Sequence, residues 1–365
     1  MTDRSCPTVR VEGDARQRGQ AHGEALRGAI AEGLGRWHDA LAAETGADPV
    51  SYLRDFVATT DFVPSIRRWT PQLLEEVRGI ADGADQPFQA VLAYNLMDEE
   101  WLHHLRRRDV PPADEPHHCS TVGLRPAPGR PTLVSQNMDL PQHFDGSQIV
   151  LHAVPDDGLP EVLVLTAAGL IATTGLNSAG VGMCMNAVVQ LDNEPHGLPV
   201  AFVIRGVLER TSRAEAVEFI RSVQHASGQV YTVGDPTGVT GLECSARGVV
   251  EYAPEGPALA HTNHPLVSDH MQQHLRRMAA AADGVESATL NSKQRLALLD
   301  ERMAAEPQPD AVLDVLRDRT VPVCRVADDS GAVTFGTVLM ELGDEPVLAF
   351  TPGPPTEEAL RELRF

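Results

Sequence analysis

Cys119-Ser-Thr-Val-Gly-Leu-Arg125, the turn Pro126-Ala-Pro-Gly-Arg-Pro131 and Thr132-Leu-Val-Ser-Gln-Asn-Met-Asp139 form the stretch on which the reading of this chain turns. Apolar and hydroxyl residues flanking a Pro/Gly turn predict two paired strands. Before them comes a polar, proline-rich run, Arg106-Arg-Arg-Asp-Val-Pro-Pro-Ala-Asp-Glu-Pro116, followed by His117 and His118. Cys119 is therefore the first residue of a strand, directly after an exposed loop, where a nucleophile could be mounted. The bland alternative is a small buried hydrophobe, the usual fate of a lone cysteine. That is the reading for Cys6, Cys184, Cys244 and Cys324. Cys119 differs in being ringed by hydrogen-bonding neighbours, His117, His118, Ser120 and Thr121.

Outward from this stretch, strands dominate the C-terminal side. Residues 148–154 and 161–167 are β-branched runs separated by a Pro/Asp/Gly turn, and 169–187 reads as a hairpin turning at Asn177-Ser-Ala-Gly180. Two helices follow at about 198–224, the second opened by the capping-box pattern Ser212-Arg-Ala-Glu215. Further strands are expected at about 229–234, 239–245, 248–253, 321–326, 332–341 and 346–351, and helices at about 265–281, 289–305 and 308–318. On the N-terminal side residues 1–105 read as helical. Leu26, Ile30, Leu34, Trp37 and Leu41 make a stripe of helical period, and Thr70-Pro71 supplies an N-cap and a first-turn proline. Another helix runs from Pro87 to about Leu105. Hairpins outnumber strand–helix–strand crossovers, so the expected class is α+β, antiparallel sheet with helices on its faces.

The 365 residues carry a net charge of −21, which argues against nucleic acid or an anionic membrane as partner. Lys293 is the only lysine, which removes a general supply of Schiff-base nucleophiles. Five widely spaced cysteines without a CxxC predict neither a disulfide framework nor a cysteine zinc site. The histidines at 103–104, 117–118, 261 and 264 include no HExxH, so they read as solvated or loop residues and no metal is expected. Neither a signal-peptide core nor a run of about 18 apolar residues occurs, so a cytoplasmic, reduced protein is expected. A thiol needs a base close by. A cysteine that becomes a chain N-terminus carries one in its own α-amine, whose ordinary pKa is roughly 8.

Four segments resemble one family. Val11-Glu-Gly-Asp-Ala-Arg-Gln-Arg-Gly-Gln-Ala-His-Gly23 is similar to its opening G…R-G-x-x-x-G element. Cys119-Ser-Thr, Gly129-Arg130 and Gln136-Asn-Met-Asp139 are similar to its C-T…G-R…Q-N-x-D core. Gly175-Leu-Asn-Ser-Ala-Gly-Val with Asn186-Ala, and Thr262-Asn-His264, complete the set in the right order. On these residues the chain resembles the acyl-coenzyme A:6-aminopenicillanate acyltransferase family of N-terminal-nucleophile hydrolases.

The resemblance implies an αββα sandwich of two antiparallel sheets between helical layers. It also implies a precursor that cuts itself between His118 and Cys119. Residues 1–118 would stay packed, as a small helical subunit, on a core of residues 119–365. Cys119 would then form an acyl-thioester, with its freed amine as base. Asn263 would donate to the oxyanion. Asp139 would orient the Cys119 amine or line the cleavage site, its alternative role being an Asx-turn ahead of Pro141. Thr121 would bond near the scissile group. His118, Asn137, Arg325 and Thr337 are candidates for the substrate pocket, with Arg325 and Thr337 placed on strands.

Family members act on penicillins, bioamine conjugates and acyl amino acids, so the implied partners are a small-molecule amide or acyl-thioester and an amine. Natural-product tailoring is the implied context. No resident cofactor is implied, and acyl-coenzyme A would be a co-substrate. The two processed fragments would associate, and a homo-oligomer stays open. This chain departs from the family at His118 and Ser120, where glycine and threonine are usual. Glycine tolerates a strained backbone at an N→S acyl shift better than histidine does. Two alternatives remain: an uncut, non-catalytic scaffold of the same fold, and a papain-like Cys–His pair using His261, which would want a helix after Cys119.

Overall fold

Val162 and Val164 of one strand face a helical layer, whereas Leu163 and Leu165 of the same strand face a second sheet. This two-sided burial explains why the strands read as apolar runs rather than as alternations. The computed structural model describes residues 6–108, 118–272, 284–304, 307–327, 331–355 and 360–365. Fourteen strands are present among them. An eight-stranded sheet has the order β1 (Thr8–Gly13), β4 (Gln148–Pro155), β5 (Val162–Ala167), β6 (Thr174–Asn177), β7 (Gly182–Ala187), β8 (Gln229–Asp235), β9 (Gly238–Ser245), β10 (Gly248–Tyr252). A six-stranded sheet has the order β11 (Ala258–His261), β2 (Ser120–Leu124), β3 (Thr132–Pro141), β12 (Ala332–Leu342), β13 (Val347–Thr351), β14 (Arg361–Leu363). Every pairing is antiparallel except β1 with β4.

The sheets stack through β2 and β3 against β7, β8 and β9. Helices α8 (Val200–Leu208) and α9 (Arg213–Ser222) cover the outer face of the larger sheet. Outside the smaller one lie α10 (Gly284–Met303) and α11 (Pro309–Leu316), over Val122, Leu124, Leu133 and Leu339. The expected αββα, α+β architecture is the one observed.

Helices α1 (Ala15–Ala25), α2 (Arg27–Thr45), α3 (Pro49–Ala58), α4 (Phe62–Trp69), α5 (Pro71–Ala84), α6 (Phe88–Tyr94) and α7 (Met97–Arg108) share one apolar core with α8, α9 and the larger sheet. Segment 1–118 is not all helix, because β1 extends the larger sheet by six residues. Its alternation of exposed and buried residues is weak, with Val11 the one fully buried side chain. The helical region that carries the Leu26–Leu41 stripe breaks at Leu26, and the helix expected from Pro87 to about Leu105 breaks near Asn95.

Helices α1 and α5 approach backbone to backbone. A Cβ at Gly19 would stand 1.9 Å from the Glu76 carbonyl oxygen, and one at Gly79 would stand 2.2 Å from that of Arg16. The R-G-x-x-x-G element is thus a packing seam. Beside it Glu76 accepts from Arg18 at 3.0 Å and from Arg205 at 2.7 and 3.1 Å, with all three buried.

Some local expectations change. Pro71 opens α5, but the Thr70 side chain makes no cap bond. Ser212 caps α9, whereas Glu215 bonds Thr211 rather than closing the box. Residues 321–326 are turns rather than strand, and 265–272 are not helical; the remainder of the 265–281 helix lies outside the described residues. Strands β11 and β14 are too short for periodicity to reveal.

Candidate active site

Cys119 sits one residue before β2, between the two sheets' ends, and is 3% exposed. A strand follows it, which removes the observation that a papain-like arrangement would need. Cys119 lines a small cavity of about 20 Å³ with Met97 and Asp98 of α7, Met138 and Leu140 of β3, and Met185 and Ala187 of β7. Two stacked sheets, the start of α7 and the face of α8 wall it in. The lining is mostly apolar and rich in methionine, whose flexible side chains adapt to irregular guests.

Backbone atoms of Cys119 are held on both sides. Its N–H donates to Asn263 Oδ1 at 2.9 Å, and its carbonyl accepts from Arg295 Nη1 at 2.6 Å. Arg295 also donates to Ser120 Oγ and to Asn263 Oδ1, both at 2.9 Å. Asn263 Oδ1 therefore receives two donors, which fixes the amide orientation and sends Nδ2 to Ala187 O at 3.0 Å. Ser292 holds the same loop by accepting from Asn263 N at 2.8 Å. Thr121 donates to Asn186 Oδ1, and Asn186 Nδ2 reaches the carbonyls of His261 and Thr262 at 2.9 and 3.0 Å. The Thr-Asn-His and Asn-Ala elements are thus two halves of one hydrogen-bonded clamp around the cysteine.

Asp139, in β3, offers its backbone N–H to the Cys119 sulfur. Its carboxylate accepts from Thr334 Oγ1 at 2.7 Å, and Arg325 Nε stands 3.6 Å away. Burial pushes Asp139 up to about 7, against the opposing pull of Thr334, Arg295 and Arg325. Burial, with the Asp139 charge added, pushes the Cys119 thiol up to about 12. In the continuous chain this thiol is protonated near neutrality. A base must take its proton before it can attack.

The remaining sequence candidates lie elsewhere. Asn137 donates to the carbonyls of Leu316 and Val323 at 2.7 and 2.9 Å and accepts from Thr337 at 2.7 Å, so this pair ties β3 and β12 to the segment after α11. Neither lines the cavity. Arg325 follows a turn and meets Asp139 rather than the cavity wall. His118 is half-buried beside Cys119, and His117 lies outside the described residues. Among the described residues Asp85 is the one non-glycine with positive φ, so His118 adopts its place without left-handed strain. His261 pairs with buried Glu243 at 2.9 Å.

Sequence reasoning missed Arg295 and Asp98. Arg295 lies 176 residues beyond Cys119, on a helix of mixed polarity with no local motif. Its only advance signal is an arginine at the buried position of an amphipathic helix. Asp98 belongs to Asp98-Glu99-Glu100, which reads as an ordinary acidic first turn.

No described helix is long and apolar enough to cross a membrane. A sequence model of the family described as acyl-coenzyme A:6-aminopenicillanic acid acyl-transferase matches residues 127–347. The acyl-coenzyme A:6-aminopenicillanic-acid-acyltransferase 40 kDa form of Emericella nidulans is 30% identical over 266 residues, 71% of this chain and 70% of the relative. Among solved structures, a mutant conjugated bile acid hydrolase from Clostridium perfringens is 13% identical, covering 67% of this chain and 92% of its own, with a TM-score of 0.45. Penicillin V acylase from Agrobacterium tumefaciens is 14% identical, covering 64% and 82%, with a TM-score of 0.40. The family match over most of the chain and the curated relative show that this protein belongs to the acyl-coenzyme A:6-aminopenicillanic acid acyltransferase family.

Proposed function

We propose that this chain is a self-cleaving amidohydrolase or acyltransferase that works through an acyl-thioester on Cys119. The carrying observation is that Asn263 Oδ1 holds the Cys119 nitrogen while Cys119 itself lines the cavity. In the continuous chain the thiol adds to the His118 carbonyl and the Cys119 nitrogen leaves with a proton. This forms a His118 thioester, and water then releases the His118 carboxylate, the thiol and a free α-amine. The amine inherits the bond to Asn263 Oδ1 and serves as the base the buried thiol lacks. Asp139 is placed to exchange a proton near neutrality, since burial raises it to about 7.

In turnover the amine takes the thiol proton, sulfur attacks the substrate carbonyl, and the C–N or C–S bond breaks with that proton going to the leaving group. Water or an acceptor amine then removes the acyl group. The second hydrogen of Asn263 Nδ2 supports the role of oxyanion donor, as its one hydrogen bond among the described residues goes to Ala187 O. The net charge of −21 favours small amides over the phosphates of coenzyme A as donors.

Intact-mass measurement after expression tests this reading. Two fragments meeting at His118/Cys119 are expected from the native sequence, and one uncut chain from Cys119→Ala. An uncut native chain whose Cys119 takes up no acyl group would support the scaffold reading instead.

A further inference from the structure

We propose that Asp98 is the specificity determinant of the Cys119 cavity, and that the acyl group lodged there carries a cationic nitrogen, such as a primary ammonium. This rests on the reading of Cys119 as the acyl-accepting nucleophile. The group that stays on the sulfur through the intermediate is the acyl group, so the cavity that Cys119 lines is its site.

Two other polar side chains of the cavity are already engaged. Asn95 donates to the carbonyls of Val91 and Gly169, both at 2.9 Å, and accepts from Ile171 N at 2.8 Å. Thr173 donates to the Leu165 carbonyl. Asp98 lines the cavity, is 7% exposed, and has no hydrogen bond or ion pair among the described residues.

Neighbouring carboxylates on the same turn are partnered. Glu99 accepts from Val200 N at 3.0 Å and Ser227 Oγ at 2.9 Å, and Glu100 accepts from Tyr52 at 2.6 Å. Burial raises both Asp98 and Glu99, and Glu99 also feels the charge of Asp98. Asp98's influence extends to the Cys119 thiol, which places the two groups in one electrostatic neighbourhood.

An anion in an apolar cavity is costly unless a cation joins it. Among the described residues, Arg295 is spent on Cys119, Ser120 and Asn263, and Arg205 on Glu76. A guest with an apolar stem and an ammonium end satisfies both the methionine-rich wall and Asp98.

The test compares 6-aminohexanoyl p-nitroanilide with heptanoyl p-nitroanilide, which puts a methyl in place of the ammonium. The full chain and its Asp98→Asn variant are assayed for kcat/KM and for acyl-enzyme trapped by acid quench. The native protein should prefer the amino donor, and Asp98→Asn should reduce the ratio of the two kcat/KM values by about 30-fold or more. An unchanged ratio overturns the proposal. So does an equal loss with both donors, which would place Asp98 on the nucleophile's own amine. Calorimetric binding of 6-aminohexanamide and heptanamide to the Cys119→Ala chain separates the two levels of inference. Selective binding of the cation that disappears in Cys119→Ala/Asp98→Asn upholds the Asp98 assignment even where no acyl-enzyme forms. Equal binding of the two amides removes it.

Discussion

Two buried polar regions of the molecule treat charge in opposite ways. At the α1–α5 seam, Glu76 is gripped by Arg18 and Arg205. Burial by itself would raise Glu76, but the two arginines more than cancel it and leave the group below the ordinary carboxylate value. At the Cys119 cavity, burial wins. Asp139 is pushed up to about 7, and the Cys119 thiol to about 12. The first region has a cation for its anion and does structural work. The second has no cation that outweighs burial, so its carboxyl and thiol hold their protons to higher pH.

The sharpest way to break this contrast is to remove the anion of the seam. Glu76→Gln leaves two buried guanidiniums facing each other without their carboxylate. Removing one partner of a buried pair costs about 3–5 kcal/mol, to be read from urea unfolding midpoints. A loss below about 1 kcal/mol would mean that the seam does not depend on its charges. Cleavage before Cys119 should persist wherever the variant folds.

Asn263→Asp probes the other region. It keeps an acceptor for Cys119 N–H and Arg295 but removes the Nδ2 donor. Loss of one oxyanion donor lowers kcat by about 10²–10³-fold, with the acyl-enzyme forming more slowly in single-turnover quench experiments. If kcat is unchanged, Asn263 serves as a holder of the Cys119 nitrogen and nothing more.

The smallest effect is in the pH dependence of stability, and it has opposite sign in the two regions. Glu76 is lowered in the folded protein, so its contribution is present above the ordinary glutamate range and is lost as pH falls through its folded value. Asp139 is raised from 3.8 to about 7, so it costs stability as pH rises from about 4 to about 7. The slope from one such carboxylate is at most about 1.4 kcal/mol per pH unit. Asp139→Asn should flatten the decline on the alkaline side of pH 4, measured by thermal melts across the range. An unaltered slope would show that Asp139 is ionised in the folded state at all these pH values.

The architecture was legible because its signals are local. Runs such as Val162-Leu-Val-Leu-Thr-Ala167 must bury two faces, and only a sheet sandwiched between layers allows this. Turn residues such as Gly129 and Gly180 sit at positive φ, where the sequence marks the turns. Strand β1 escaped because its inner residue Val11 stands nearly alone among polar neighbours, and its pairing with β4 bridges about 140 residues.

Within the site, Cys119, Asn263 and Asp139 were marked by motifs, and the structure gathers them within one hydrogen-bonded group. Thr121 is joined to them through Asn186. Asn137 carries a motif position too, but its bonds, with the one from Thr337, tie β3 to β12 and to the segment after α11 instead.

By itself, then, the sequence determined the α+β class, the cysteine at the head of β2 and the order of the elements around it, while the αββα layering was implied by the family resemblance. Period, turn chemistry and spacing are properties of neighbouring residues. The tertiary structure alone decided which buried charges are paired. That Arg295 reaches the carbonyl of Cys119, that Arg205 serves Glu76, and that Asp98 lines the cavity with no ion-pair partner among the described residues depend on helices far apart in the chain. The cost of burying a charge depends on what packs against it, and packing is where local sequence stops speaking.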